Sequence, residues 1–424
     1  RRGYRGGGFL YRGRGATRDG EQSEPGGQAS DYAKMRHEFL PVFPMTLLVP
    51  PIVEAGLAIG PGSAQWRAMS LFASLTDSAY ALVRPIVHAT DGEAAHNLTL
   101  SALQPLPRAR HALTSPALAT ELAGLTFPNP VGLAPGFDKD ARVAHVMPHF
   151  GFGFVEVGTL TPLPQEGNPR PRLFRLVEDQ AVINRMGFNN GGQEKAAERI
   201  ACLRRYGLPV PLGINIGANK DSADRIADYA KGTAAMAPLA DYLTVNISSP
   251  NTPGLRALQD KGALEALLDG VAAAQPAGAA KPVFLKVAPD LEPADIDDIV
   301  AVAFDKGLAA VIVSNTTIVR PALASRYAEE AGGLSGAPLA ELALQRVRDF
   351  RTASGGKLPL VAAGGIASPE QAWERIRAGA SLVQIYSAMV YEGPGLAGRI
   401  AHGLEKLAAR DGFARVSDAV GTDH

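Results

Sequence analysis

Eight short runs of continuously apolar residues set the tightest limit on how this chain can fold. They are Val131 to Ala134, Phe154 to Val157, Leu212 to Ile216, Tyr242 to Ile247, Val283 to Val287, Ala310 to Val313, Leu360 to Ala363 and Leu382 to Ile385. Each is followed by a polar or glycine-rich turn and, the second apart, by residues at helical spacing. A strand that is apolar at every position has no solvent face, so it belongs to a parallel sheet covered by helices on both sides. Eight such units predict a closed α/β barrel, the (β/α)8 or TIM barrel. An open, doubly wound sheet is the alternative, but no glycine-rich dinucleotide fingerprint follows the first run. After the second run comes an excursion, Thr161 to Gln180, rich in proline and arginine. Within it Arg172 to Leu176, followed by Gln180 to Ile183, reads as a hairpin.

A chain of 424 residues, 46% hydrophobic and 20% charged, can bury one large core, and residues 106–412 are assigned to it. The formal net charge of zero gives no electrostatic case for nucleic acid. The single cysteine, Cys202, excludes an intrachain disulfide framework and a cysteine-ligated iron–sulfur cluster within the chain, and fits a reducing compartment. Residues 1–68 read as a disordered or non-native extension ahead of Met69. The basic Arg1, Arg2, Arg5, Arg12, Arg14, Arg18, Lys34 and Arg36 outnumber Asp19, Glu21, Glu24 and Asp31, among many glycines. The apolar stretch from Phe39 to Gly60 is interrupted by Pro41, Pro44, Pro50, Pro51 and Glu54, so it is not a spanning helix. Residues 69–105 predict two amphipathic helices. The first carries Leu71, Leu75, Ala79, Leu82 and Ile86, widened by Phe72 and Val83; the second, capped by Asp91, carries Ala94, Ala95, Leu98, Ala102 and Leu103. Residues 413–424 are expected to form a flexible tail.

In such barrels chemistry sits at the C-terminal ends of the strands, and the polar residues obey that rule. The first strand ends in Gly136-Phe137-Asp138-Lys139, the second in Gly158-Thr159, the excursion in Asn184-Arg185-Met186-Gly187-Phe188, and the third passes through Asn215. The fourth ends in Asn246-Ile247-Ser248-Ser249-Pro250-Asn251-Thr252, where the proline removes backbone freedom. Lys286 lies inside the fifth, and Ser314-Asn315-Thr316-Thr317 closes the sixth. The seventh and eighth end in Gly364-Gly365 and Tyr386-Ser387, each opening a helix. That arrangement lets backbone amides approach a phosphate at a helix N-terminus. The residues therefore predict a phosphate-bearing cofactor facing a pocket of asparagines, with a lysine to hold a carboxylate. No metal site is predicted: His145 and His149 lie four apart but read as surface residues.

The runs APGFDKD (134–140), VEVGTLTP (155–162), EGNPRPRLFRL (166–176), NRMGFNNGG (184–192), INIGANK (214–220) and VNISSPNTPGLR (245–256) carry a resemblance. So do FLKVAPD (284–290), SNTT (314–317), GGLSG (332–336), AAGGI (362–366) and LVQIYSAM (382–389). From about Ser70 to Leu407 the chain resembles the class 2, membrane-associated, quinone-dependent dihydroorotate dehydrogenases. The resemblance implies oxidation of dihydroorotate to orotate in pyrimidine biosynthesis, with FMN as cofactor and a membrane quinone as acceptor. It also implies peripheral attachment to the cytoplasmic side of the inner membrane.

Carried over by position, the resemblance implies FMN contacts at Pro135, Gly136, Phe137, Asp138, Lys139, Thr159, Asn215, Asn246, Lys286, Ser314, Gly336, Gly365, Tyr386 and Ser387. Substrate would meet Lys139, Asn184, Arg185, Met186, Gly187, Phe188, Asn246, Asn251, Asn315 and Thr316, with Ser249 as the catalytic base. Class 1 relatives place a cysteine where Ser249 stands, as dihydropyrimidine and dihydrouridine reductases are expected to do. Another flavin barrel acting on a dihydropyrimidine-type ring is the alternative reading. Tyr80, Arg84, His96 and Arg175 would line a quinone tunnel. The chain departs from the family at Pro135, where a small residue is usual, and at Gly92, where the usual Asp-Pro-Glu is Asp91-Gly92-Glu93. The second departure predicts a less firm start to the second helix.

Overall fold

The computed structural model describes residues 76–423, positions 79 and 253 apart. The expected extension before Met69 lies outside the described residues, as do Leu71, Phe72, Leu75 and Ala79 of the first helix. Eight parallel strands close into a barrel in which each neighbours the next in sequence. They are β1 (Val131–Leu133), β2 (Phe154–Leu160), β3 (Leu212–Ile216), β4 (Tyr242–Asn246), β5 (Val283–Val287), β6 (Ala310–Val313), β7 (Leu360–Ala363) and β8 (Ala380–Ile385). Pairing of Val383 with Val131 and of Ile385 with Leu133 completes the circle. All residues of β3 and β4 are buried, as their unbroken apolar pattern requires.

The N-terminal end of the barrel is closed by an aromatic plug. A short hairpin, Thr120–Leu122 with Leu125–Phe127, sets Phe127 edge-on to Phe154 at 5.2 Å, while Tyr242 stacks on Phe284 at 4.4 Å. This hairpin is not legible as a barrel element in the sequence. Glycines make room for the rings: a Cβ on Gly132 would lie 2.1 Å from Phe154, and one on Gly213 would lie 2.2 Å from Tyr242.

The excursion forms the predicted hairpin, Leu173–Leu176 with Ala181–Asn184, and gains a third antiparallel strand, Gly333–Gly336, from the chain after β6. Phe174, Leu176, Ala181, Ile183 and Leu334 give it a small core of its own.

At the other end of the sequence the expected flexible tail folds back. Val416–Ala419 forms a turn of 3-10 helix with both end residues buried, and the Val416 amide donates to the Ala117 carbonyl at 2.8 Å. Small apolar side chains among polar ones hid this packing. Residues 80–89 and Gly92–Leu103 form the helix pair, and the second helix starts firmly despite Gly92, because Asp91 Oδ1 accepts the Ala94 amide at 2.9 Å. Among the described residues no helix is long and apolar enough to cross a membrane.

Because the Tyr242 ring occupies the space a side chain at 213 would need, Gly213→Ala should destabilise the barrel by about 1–3 kcal/mol. Chemical denaturation would measure it; an unchanged midpoint would show that the plug can yield.

Candidate active site

The C-terminal rim of the barrel gathers the predicted polar residues around one buried chain of hydrogen bonds. Its lowest member is Glu156, on β2 and fully buried. Its carboxylate accepts from Asn215 Nδ2 at 2.8 Å, Gln384 Nε2 at 2.7 Å and the Tyr242 hydroxyl at 3.1 Å. Above it Asn215 Oδ1 accepts from Thr159 Oγ1 at 2.6 Å and Asn246 Nδ2 at 3.2 Å. Asn246 Oδ1 accepts from Ser248 Oγ at 2.8 Å, and Ser248 Oγ accepts from Asn315 Nδ2 at 2.9 Å. Four strand ends are thereby tied through side chains alone. Sequence reasoning named Thr159, Asn215, Asn246 and Asn315 but missed Glu156. The signal was an acid in the middle of an otherwise apolar buried strand.

Two lysines of the rim have no hydrogen-bond partner among the described residues. Lys286 is buried, and burial lowers its pKa while the nearby Glu156 charge acts in the opposite sense. Lys139 has its pKa lowered to about 8, chiefly by burial and against the attraction of Glu93. Asp138, beside it in sequence, does not orient that amine. Its two carboxylate oxygens accept the Arg142 and Val143 amides at 2.7 Å each, so its side chain braces the following turn instead of facing a ligand.

The loops expected to meet substrate join at Asn168, which the sequence did not single out. Its Nδ2 donates to the carbonyls of Arg185 at 3.0 Å and Asn251 at 3.1 Å, and its Oδ1 accepts from Lys220 Nζ at 2.9 Å. Asn251 Nδ2 in turn reaches Asn184 Oδ1 at 3.4 Å. Gly187 comes so close to Asn168 that a Cβ there would lie 2.9 Å from it, at a φ of +71° that glycine alone adopts freely. Met186 and Phe188 are held by their carbonyls, to the Asn168 amide and to Gln165 Nε2. The Arg185 guanidinium points away from the pocket: it pairs with Glu330 at 2.7 Å and lies over the Phe174 ring. Arg256, also missed, donates to the carbonyls of Ser248 and Thr316 and pairs with Asp290, joining the loops after β4 and β6.

Ser249 is buried on this rim, and its Oγ accepts the Asn251 amide at 3.2 Å. No histidine or carboxylate hydrogen-bonds it among the described residues. The Thr252 hydroxyl, further along the same loop, is buried and without a hydrogen-bond partner among the described residues.

A different set of residues collects where β7 and β8 end. Gly336 and Gly365 adopt φ of +95° and +66°, and a Cβ on either would lie 2.3 Å from the neighbouring backbone, so glycine is required for these loops to approach. Ser335 and Ser387 share a hydrogen bond of 2.8 Å between their hydroxyls. Phe137 and His96 enclose Tyr386 from the side, Phe137 at 5.8 Å and His96 at 6.4 Å between ring centres. Pro135, Gly136 and Ser314 stand on the same rim, the Gly136 amide bonded to the Gly158 carbonyl at 2.8 Å.

The helix pair lies against this rim and not against the plugged end. Tyr80 donates to the Val390 carbonyl at 2.6 Å, and Arg84 to that of Tyr391 at 3.2 Å. Arg175, from the hairpin, donates to the carbonyls of Val87 and Thr90. The His96 pKa is lowered to about 4, first by burial and then by Lys139, so the ring is neutral at physiological pH. His145 and His149 bond backbone carbonyls of Leu106 and Pro107, and no cluster of potential metal ligands occurs among the described residues.

A family model described as dihydroorotate dehydrogenase matches residues 117–408. The chain belongs to the dihydroorotate dehydrogenase family. It is 91% identical over 353 residues to a protein of Sphingopyxis alaskensis named dihydroorotate dehydrogenase (quinone), covering 83% of this chain and 99% of that one. A Novosphingobium aromaticivorans protein of the same name is 64% identical over 347 residues, covering 81% of this chain and 99% of that one. Among solved structures, DHODH from Eimeria tenella in complex with ferulenol superposes with a TM-score of 0.74 at 40% identity, over 78% of this chain and 95% of that one.

A dihydroorotate dehydrogenase carries a flavin, and the rim fits one. The buried Lys286 ammonium, without a hydrogen-bond partner among the described residues, suits an electron-rich ring edge.

Lys139 sets a pH dependence. A ligand carboxylate needs its ammonium form, which is depleted as pH rises through about 8. Orotate affinity should be flat below that pH and fall up to tenfold per unit above it, and Lys139→Met should bind weakly at every pH. Calorimetric titration across pH 6–9.5 (roughly two units each side of the transition) would test this; an unchanged affinity at the alkaline end would remove Lys139 from carboxylate binding.

Proposed function

We propose that this chain oxidises dihydroorotate to orotate with FMN as prosthetic group and a membrane quinone as electron acceptor, in pyrimidine biosynthesis. The observation that carries the reading is the buried Ser249, whose Oγ accepts the Asn251 amide, on a rim that also carries Asn184, Asn246 and Asn315, with an unpartnered buried hydroxyl, Thr252, in the same loop. Amide side chains offer both donors and acceptors, which matches a flat ring with imide edges. Lys139 holds the substrate carboxylate. Ser249 takes the proton from the ring carbon next to the carbonyl. A serine without a histidine or carboxylate partner is a weak base, so the pocket must do the rest. The burial of this rim excludes water, and the Thr252 hydroxyl, in the same loop, would pass the proton on. FMN, when bound, supplies the acceptor for hydride from the adjacent ring carbon and the electron path to the quinone. Lys286 would stabilise negative charge on the flavin, and the loops around Gly336, Gly365 and Ser387 would hold its phosphate.

The acceptor's route follows from the helix pair. Leu82 is 81% exposed, Ile86 58% and Leu98 58%, an outward apolar face on helices whose inner side touches the rim beside Tyr386. Such a face suits peripheral attachment to the cytoplasmic side of the inner membrane, with Tyr80, Arg84, His96 and Arg175 lining the way to the flavin.

Ser249→Ala should retain flavin and orotate binding but lose about a hundredfold or more in the rate of flavin bleaching by dihydroorotate. Stopped-flow reduction near the wild-type rate would exclude Ser249 as the base. For the membrane, the double variant Leu82→Glu, Ile86→Glu should abolish liposome binding and slow reduction of a long-chain quinone, while a water-soluble acceptor is reduced as before. Liposome binding equal to that of the unaltered protein would refute the attachment face.

A further inference from the structure

The hydrogen-bonded chain on the rim has a direction. Asn315 donates to Ser248, Ser248 to Asn246, Asn246 to Asn215 and Thr159, Thr159 to Asn215, and Asn215 to Glu156. Every donor points toward the carboxylate. An amide can be turned over with little change of shape, so the direction of such a chain is fixed only where a member cannot reverse its role. At the upper end the Ser248 backbone amide donates to Asn246 Oδ1 at 3.3 Å. At the lower end stands Glu156, fully buried, with three donors on its two oxygens and none of them a cation. An ionised carboxylate can only accept.

We propose that Glu156 is a positioning residue that fixes the orientation of the Asn215 amide and so the donor direction of the chain that reads substrate and flavin. It acts through Asn215, which carries the chain from the carboxylate up to Thr159 and Asn246. Without an acceptor at that place Asn215 can turn over, setting its NH2 against the Asn246 NH2 and forcing one of them to lose its partner. The role needs an acceptor at the right reach and does not need the charge. Gln384 makes that separable, because its Oε1 is buried with no hydrogen-bond partner among the described residues. A glutamine at 156 could keep its oxygen on Asn215 and turn its NH2 to Gln384, whose amide flips so that its Oε1 accepts both that NH2 and the Tyr242 hydroxyl now held by Glu156.

The inference rests on the reading of this rim as an orotate site, and the test separates the two. Orotate binding to the flavin-loaded protein is measured by calorimetry for the unaltered chain, Glu156→Asp and Glu156→Gln, with flavin content and thermal midpoint for each. Glu156→Asp keeps the charge but falls one methylene short of Asn215, and should weaken orotate binding about tenfold or more while flavin content stays near stoichiometric. Glu156→Gln should restore affinity to within about threefold of the unaltered chain. If the unaltered chain itself binds no orotate, the reading of the site fails. If it binds and both variants bind equally well, or if aspartate retains affinity and glutamine loses it, Glu156 acts by charge or packing and the positioning role is wrong. Should Glu156→Asp not fold, Glu156→Gln still decides, since weak binding by a folded glutamine variant overturns the proposal.

Discussion

A closed parallel barrel has one rim at which all eight strands end, and that geometric constraint places everything else in this molecule. Side chains that are far apart in sequence, such as Thr159, Asn246 and Asn315, need only stand at a strand's last turn to become neighbours. The opposite end must then be sealed, and here aromatic rings do it, with glycines at 132 and 213 giving the rings their space. The floor of the barrel is apolar and the rim is polar. Glu156 marks the boundary, anchored below by Tyr242 from the plug and above by Asn215 from the site.

Buried charge is used sparingly on this rim, and both carboxylates have an identifiable compensation. Asp138 is paired with two backbone amides and spent on the turn beneath the pocket. Glu156 is satisfied by three neutral donors. The lysines are different: Lys139 and Lys286 have no hydrogen-bond partner among the described residues, and only the electrostatic attraction of Glu93 and of Glu156 opposes their desolvation until an anionic ligand arrives. That difference, more than the number of polar groups, marks which residues serve the fold and which await a ligand. It agrees with a site that takes a carboxylate on one side and a flavin on the other.

The barrel strands were legible in the sequence because strands buried on both faces are apolar at every position. The runs at 212–216, 283–287, 310–313 and 360–363 coincide with the observed strands. The rim asparagines were legible too, since amides cluster where strands stop. Less legible were residues whose role depends on a distant partner. Asn168 sits in a proline-rich excursion and gives no local sign that it joins the loops carrying Asn184 and Asn251. Arg256 looks like an ordinary surface arginine until Asp290 is beside it. The hairpin at 120–127 and the strand at 333–336 are too short for periodicity to detect, and the tail at 416–419 has too few apolar residues to announce its packing.

A buried ion pair ties the helix pair to the loops that carry Asn184 and Asn251. Glu93, at the start of the second helix, is almost fully buried and takes two hydrogen bonds from Arg172, at 2.6 and 3.0 Å. Hydrogen bonding to Arg172 lowers its pKa below the ordinary carboxylate range, with burial opposing. The stability this contributes is present above that range and is lost only as pH falls through the depressed value. The same guanidinium donates to the carbonyls of Glu166 and Asn168. From Asn168 the path continues to Arg185 and Asn251 on the two substrate loops. A buried pair gains little over an apolar packing of the same shape, but breaking it leaves an uncompensated charge, at about 3–5 kcal/mol. Its position therefore joins the helices to the loops that carry Asn184 and Asn251 through one guanidinium. The end of the molecule that would receive the quinone and the end that would receive dihydroorotate share the residue Arg172.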